Sequence, residues 1–252
     1  MSVLSESPAR FRLASWGGIC SVLLLGLEAA KLAMLDAGGP SPLGGDAGPY
    51  WSLGEQVARG DIWMLQNPVG YRTPGYPWCL GLIRWCCGEW SWRIVVAQQY
   101  VAVWLTTLLT GWWTLRLSGN IGLANLALGI RLLSFGSASY AGTILSESFF
   151  EPVFLALLML LTPLTRSLSI GRWITIGAVW AIGFLFKPML LALAPVLVVA
   201  AFLADFDFTT WKQRLIAAGL RIGTVALMGV LLIGPWCARN GYVFGRPVPV
   251  IF

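Results

Sequence analysis

Apolar runs long enough to cross a bilayer recur along most of this chain, and they leave little room for any other architecture. A helix crossing the hydrocarbon core needs about 20 apolar residues, and lipid admits only segments whose backbone N–H and C=O groups are paired internally. The stretch from about Trp16 to Leu35 has that length. Further runs extend from about Trp92 to Leu115, Ile121 to Phe135, Leu145 to Leu164, Trp173 to Phe186, Met189 to Leu203 and Leu215 to Pro235. Charged residues are 11% of the 252, against roughly 25% in a soluble domain. The expected fold is all-α, a polytopic transmembrane helical bundle of about seven spans. It forms a single membrane domain over 1–252 with a long outward loop over 36–91. Two runs, Ile121 to Phe135 and Trp173 to Phe186, are short for a span and need protein neighbours or thinned bilayer. Gly219-x-x-x-Gly223 reads as a face for close helix packing.

The first run is too long for the apolar core of a signal peptide, and it contains Glu28 and Lys31. These stand three apart on one helical face and can pair, either neutralising each other or facing a cavity.

One stretch cannot be lipid-buried. From Gly44 to Pro77 the chain carries Asp46, Glu55, Arg59, Asp61 and Arg72 with Asn67, Tyr71 and Tyr76. Polar connections this long are functional or disordered, and the aromatic and proline punctuation argues against disorder. From Pro49, Tyr50, Leu53 and Val57 share one helical face, the pattern of an amphipathic helix in the membrane interface. Trp78 to Cys87 is apolar but too short to span, so a second interfacial helix is expected, with Trp85, Trp90 and Trp92 as belt residues.

Several chemistries are excluded. Histidine is absent, which removes the Ser/His/Asp triad, the HExxH zinc site and any imidazole base. The five cysteines form neither a disulfide framework nor a CxxC pair. The net charge of +6 comes from arginines scattered singly rather than gathered on one face, so nucleic acid is not an expected partner. Acid and base work falls to carboxylates, lysine or tyrosine.

Arg10, Arg12, Arg116, Arg166, Arg172, Lys212 and Arg214 fall on one side of the expected spans, and Lys187, Arg239 and Arg246 on the other. The richer side is cytoplasmic by the positive-inside rule, which puts the N-terminus there and the long loop outside. Residues 140–147, Lys187-Pro188 and the Pro235 to Asn240 segment then share the outward face with that loop.

On that face Asp46 has two readings, a base or the N-cap of the Pro49 helix. Glu147 sits at the outer end of a span. Glu151, one turn further in, completes a Ser148-x-x-Glu151 capping box. Arg72, Lys187, Arg239 and Arg246 either attract anionic headgroups or form a phosphate clamp. Asp205-Phe206-Asp207 could hold a divalent ion against a nucleotide diphosphate, but lies on the expected cytoplasmic side with no glycine-rich phosphate turn. A solvated connection accounts for it better.

The motifs, in order, are Asp46-x-x-x-Tyr50 with Gly60, Tyr71-Arg72-Thr73-Pro74-Gly75-Tyr76-Pro77, Leu145-Ser146-Glu147-Ser148-Phe149-Phe150, Phe186-Lys187-Pro188, and Pro235-Trp236-x-x-Arg239-Asn240 with Gly245. This series resembles the membrane-embedded C-type (GT-C) glycosyltransferases, in particular the branch of dolichyl-phosphate-mannose protein mannosyltransferases and bacterial lipid A aminoarabinose transferases. The resemblance implies a transferase moving a sugar from a polyprenyl-phosphate donor to a lipid or protein acceptor at the outward face. It implies Asp46 as base or acceptor activator, with Glu147 as a second catalytic acid. Arg72, Lys187 and Arg239 would hold the donor phosphate, and Tyr50, Tyr71, Tyr76 and Asn240 would line the substrate. Some members carry a metal-linked acid just before the Arg/Lys-Pro motif. Tyr71 stands there, which leaves a divalent metal open. Family chains continue past the last motif, so these residues read as the N-terminal part of such a module, in a bacterial inner membrane or an endoplasmic-reticulum membrane. A transporter using Glu28, Lys31 and Arg131, or a non-catalytic assembly subunit, are the rival readings.

The orientation is testable on a chain whose native cysteines are replaced. Ser52→Cys or Gln66→Cys should react with an impermeant thiol reagent added outside, and Ser169→Cys should not. The opposite labelling pattern would overturn the orientation.

Overall fold

The computed structural model describes residues 8–37, 45–162, 169–204 and 210–250. Among them every element is helical and no strand occurs. The helices are α1 (Pro8–Ala37), α2 (Ala47–Ala58), α3 (Gly75–Cys87), α4 (Ser91–Ser118), α5 (Ile121–Leu133), α6 (Phe135–Ala141), α7 (Glu147–Leu161), α8 (Ile170–Phe186), α9 (Ala194–Leu203) and α10 (Trp211–Phe244). Short 3-10 turns at Gly88–Trp90 and Pro188–Leu193 lead into α4 and α9.

Where it is described, each expected apolar run is mostly helical, but the runs differ in reach. Among the described residues three helical stretches are long and apolar enough to cross a membrane: Gly17–Met34, Gly75–Ser118 and Trp211–Phe244. Ile121–Leu133, Ile170–Phe186 and Pro188–Leu203 are apolar but shorter. In the Gly75–Ser118 stretch Gly88, at φ +55°, separates α3 from α4, a backbone region that L side chains rarely adopt.

Most polar groups inside the apolar segments find partners within the protein, as burial away from water requires, Ser148 Oγ and Trp173 Nε1 being exceptions. Along α4, Thr106, Thr107, Thr110, Thr114 and Ser118 each donate to the carbonyl four residues back. Between α1 and α5, Ser21 donates to Asn125 Oδ1 at 2.6 Å and Asn125 returns a bond to the Gly17 carbonyl. The Glu28–Lys31 pair forms at 2.7 Å, with Glu28 1% exposed, and Lys31 also reaches the Leu132 carbonyl. This pair ties α1 to α5.

Glycines set the closest helix approaches, though not at the expected place. A Cβ on Gly219 or Gly223 would meet nothing within 4 Å, so the Gly-x-x-x-Gly face packs on no described element. The close contacts of α10 instead involve Gly177 of α8, against Val225 and Met228, and Gly229 of α10, against Trp180. Around them lies the larger core, with Trp173, Trp180, Phe184, Leu190 and Trp236 buried together.

The two helices expected at the interface form and pack on each other. A Cβ on Gly54 of α2 would stand 2.7 Å from that of Leu80, and one on Gly81 of α3 would clash with Val57 and approach the Gly54 carbonyl to 3.0 Å. Trp85, Trp90 and Trp92 remain exposed. Asp205-Phe206-Asp207 lies outside the described residues.

The contrast between these glycines is measurable. Gly81→Ala should cost about 1–3 kcal/mol through overpacking. Gly219→Ala, in open space, should gain about 0.5–1 kcal/mol of helix stability. Thermal melts in detergent should therefore move in opposite directions, and a lower melting point for Gly219→Ala would show that its face is packed in the native protein.

Candidate functional site

The N-terminus of α2 begins the site. Gly45, at φ +59°, turns the chain into the helix. Asp46 stands at the N-cap position, yet its side chain caps nothing. Its Oδ1 instead accepts from Arg72 Nη2 at 3.0 Å. The capping reading of Asp46 is therefore replaced by an ion pair with a residue 26 positions away. The pair is asymmetric, the Asp46 side chain being 73% exposed and that of Arg72 only 9%.

Arg72 is held by aromatic faces. Its guanidinium lies 4.1 Å from the Tyr50 ring centroid and 5.2 Å from that of Tyr71, the geometry of cation–π attraction. Burial acts to lower its pKa. Hydrogen bonding to Tyr71, the electrostatics of Tyr50 and the Asp46 carboxylate outweigh burial, and the net direction is upward. Arg72 Nε is nonetheless buried with no hydrogen-bond acceptor.

A second pair forms where α7 begins and α8 ends. Pro188 favours extended backbone in the residue before it, and Lys187 is extended at φ −149°, ψ 116°. Its Nζ meets Glu147 Oε1 at 2.5 Å. Gly75 brings the two halves together, because a Cβ there would stand 2.7 Å from the Leu185 carbonyl oxygen. The start of α3 thus rests directly on the end of α8.

Ser146 bridges the pairs. Its hydroxyl lies 3.4 Å from the Tyr50 hydroxyl and donates to Glu147 Oε2 at 3.3 Å. A polar path therefore runs from Asp46 and Arg72, across Tyr50 and Ser146, to Glu147 and Lys187. Beneath it Tyr50, Tyr76, Phe149 and Phe186 form successive ring contacts.

Not every expected site residue joins this path. Tyr76 is fully buried and donates to Gln99 Oε1 at 2.6 Å, while Gln99 Nε2 donates to the Ala141 and Thr143 carbonyls. It is a floor to the site rather than a substrate contact. Gln99 was not singled out from the sequence, although an amide in the middle of an apolar run must find buried partners. Arg239, expected at the donor phosphate, is buried and donates to the Trp63, Met64 and Val69 carbonyls and to Asn240 Oδ1. Asn240, expected to contact substrate, is fully buried and donates to the Val248 carbonyl at 2.8 Å. Arg239 fastens the end of α10 to the loop at 61–69, and Asn240 fastens it to the segment at 248–249. Glu151 does not complete a capping box. Ser148 lies inside α7, and Glu151 pairs with Arg131 at 3.0 Å. Arg246 is exposed beyond α10.

A groove of about 390 Å³ runs along α2 beside the site, lined by Pro49, Ser52, Gln56, Asn67, Pro68 and Tyr71. Tyr71 links it to Arg72. Among the described residues no group of three or more Cys, Asp or Glu side chains is placed to hold a metal ion; Asp46 and Glu147 each face a cation instead. No family model, curated protein or solved structure matches this chain.

If Arg239 is a loop anchor, Arg239→Lys should destabilise the protein by roughly 1.5–3 kcal/mol, since one ammonium cannot replace a fork of charge-assisted bonds. Limited proteolysis should then cut at residues 61–69 while phosphate-lipid binding per folded molecule stays unchanged. A selective loss of that binding without new cleavage would restore Arg239 to the phosphate site.

Proposed function

We propose that this chain is a multi-pass membrane glycosyltransferase module. It transfers a sugar, with inversion, from a polyprenyl-phosphate donor to a lipid or protein acceptor at the outward membrane face. The observation that carries the reading is the pair of half-open ion pairs joined through Tyr50 and Ser146, with a buried Arg72 N–H awaiting an acceptor. A phosphate monoanion or diester oxygen is the chemistry that such a donor and a neighbouring ammonium would take. The long apolar helices give a polyprenyl tail somewhere to lie, and the groove along α2 leads an acceptor to Asp46.

In this reading the acceptor hydroxyl attacks the anomeric carbon from the side opposite the phosphate. The bond from that carbon to the phosphate oxygen breaks as the new glycosidic bond forms. Asp46, the exposed member of its pair, takes the proton from the acceptor. Arg72 and Lys187 meet the negative charge that grows on the departing polyprenyl phosphate, a preorganised electrostatic contribution that is commonly the largest in such catalysis. Glu147 holds Lys187 in place and, through Ser146 and Tyr50, couples its position to Arg72. The N-terminus is cytoplasmic, and the shorter apolar helices complete about seven crossings within the bundle.

Asp46→Asn keeps the shape and a hydrogen bond to Arg72 but cannot take a proton. Transfer from a labelled polyprenyl-phosphate sugar in proteoliposomes of the full-length protein should fall by about 10²–10⁴-fold, with donor binding retained. Lys187→Ala should weaken donor binding. Near-normal turnover in Asp46→Asn would sink the assignment of Asp46 as base and favour the non-catalytic subunit.

A further inference from the structure

On the other side of the α2–α3 pair lies a second groove, of about 600 Å³, in which Trp51, Glu55, Arg59, Arg84, Trp85 and Glu89 take part. It opens beside the exposed Trp85 and Trp90, at the depth where aromatic belt residues mark the membrane–water boundary. Its charges are balanced in number but not in pairing. Glu55 Oε1 accepts from Arg59 at 2.5 Å and forms an ion pair with Arg84 at 3.3 Å. Glu89, an exposed side chain, has no ion pair among the described residues. Arg84 stacks 4.9 Å from the Trp51 ring centroid, and its Nη1 is buried without a hydrogen-bond acceptor. The groove therefore presents a partly exposed guanidinium whose hydrogen bonds are incompletely met and, among the described residues, a carboxylate without an ion pair, the first at the end of α3 and the second in the turn after it.

We propose that this groove binds the headgroup of a zwitterionic phospholipid bearing a primary amine, of the phosphatidylethanolamine class. The phosphodiester oxygen pairs with the Arg84 guanidinium, whose side chain is 28% exposed, and the ammonium donates to Glu89. A purely anionic headgroup would satisfy the arginine but leave its charge facing Glu89. A free phosphate would lack both the ammonium and the acyl chains that lie along the exposed tryptophans. Such a lipid would hold the α2–α3 pair at a fixed depth in the interface. The inference rests on the membrane setting of the long helices and not on the glycosyl-transfer reading, since none of these side chains belongs to the path from Asp46 to Lys187.

The test is native mass spectrometry of the full-length protein released from nanodiscs holding equal amounts of phosphatidylethanolamine and phosphatidylglycerol. The expected result is a roughly tenfold excess of phosphatidylethanolamine adducts, the size of one charge-assisted contact. Glu89→Gln should abolish that excess with an unchanged melting temperature, because the exposed Glu89 has no ion pair among the described residues. Arg84→Gln should lower adducts of both lipids. Equal retention of the two lipids by the parent protein, persistence of the excess in Glu89→Gln, or equal thermal protection by inorganic phosphate alone would each overturn the proposal.

Discussion

The cost of isolating a charge from water governs this structure. In a chain so apolar, an ionic side chain away from the surface must find a counter-charge or a set of dipoles, since an unpaired buried ion costs several kcal/mol. Glu28 meets Lys31, Glu151 meets Arg131, Arg221 reaches the Ala201 carbonyl and Arg239 reaches the carbonyls of the 61–69 loop. With the bond from Lys31 to the Leu132 carbonyl, these contacts tie α1 to α5, α5 to α7, α9 to α10, and α10 to the long loop. Lys31 and Arg131 each pair with a carboxylate, Glu28 and Glu151.

What could be read from the sequence was whatever local pattern determines. Apolar run lengths and Gly/Pro punctuation located the helices, and the Tyr50, Leu53, Val57 stripe located α2. What could not be read was which distant groups would meet. Asp46 has the local credentials of an N-cap, but Arg72 arrives from 26 residues away and the carboxylate turns to it. Ser148 and Glu151 have the spacing of a capping box, yet α7 begins before them and Arg131 claims the acid. The same holds for glycine. Gly219 and Gly223 carry the Gly-x-x-x-Gly spacing and touch nothing, whereas Gly75, Gly81 and Gly177 lack that spacing and sit where helices meet. Spacing reports a face of one helix; contact requires two.

Gathering of the segments expected to face outward was legible in a different way. The positive-inside distribution placed the long loop, the start of α7, the end of α8 and the end of α10 on one side, and in the structure these segments touch. Asp46 pairs with Arg72, Glu147 with Lys187, and Arg239 with the loop carbonyls. Sharing a face, however, did not mean sharing a site. Tyr76, Arg239 and Asn240 belong to the same end of the molecule, but burial puts them under the surface rather than on it.

Arg72 and Arg239 show what separates a positioning cation from one that could bind substrate. Arg239 directs its N–H groups at carbonyls of a loop whose backbone it fixes, including Met64, which is held at φ +51°. Those acceptors are main-chain atoms and cannot leave without unfolding the loop. Arg72 has a single carboxylate on one nitrogen, an unbonded Nε and two aromatic rings around it. Its carboxylate is on an exposed side chain free to rotate away. Two unit charges about 4 Å apart at an effective dielectric near 20 attract by about 4 kcal/mol. An arriving phosphate at that distance offers Arg72 at least as much, so exchanging Asp46 for phosphate leaves the electrostatic balance nearly level. The exchange also releases the carboxylate beside the acceptor groove. On the proposed reading the resting ion pair is thus a placeholder: donor binding fills the arginine and frees the base in one step, so that the base is unmasked only when there is a sugar to transfer.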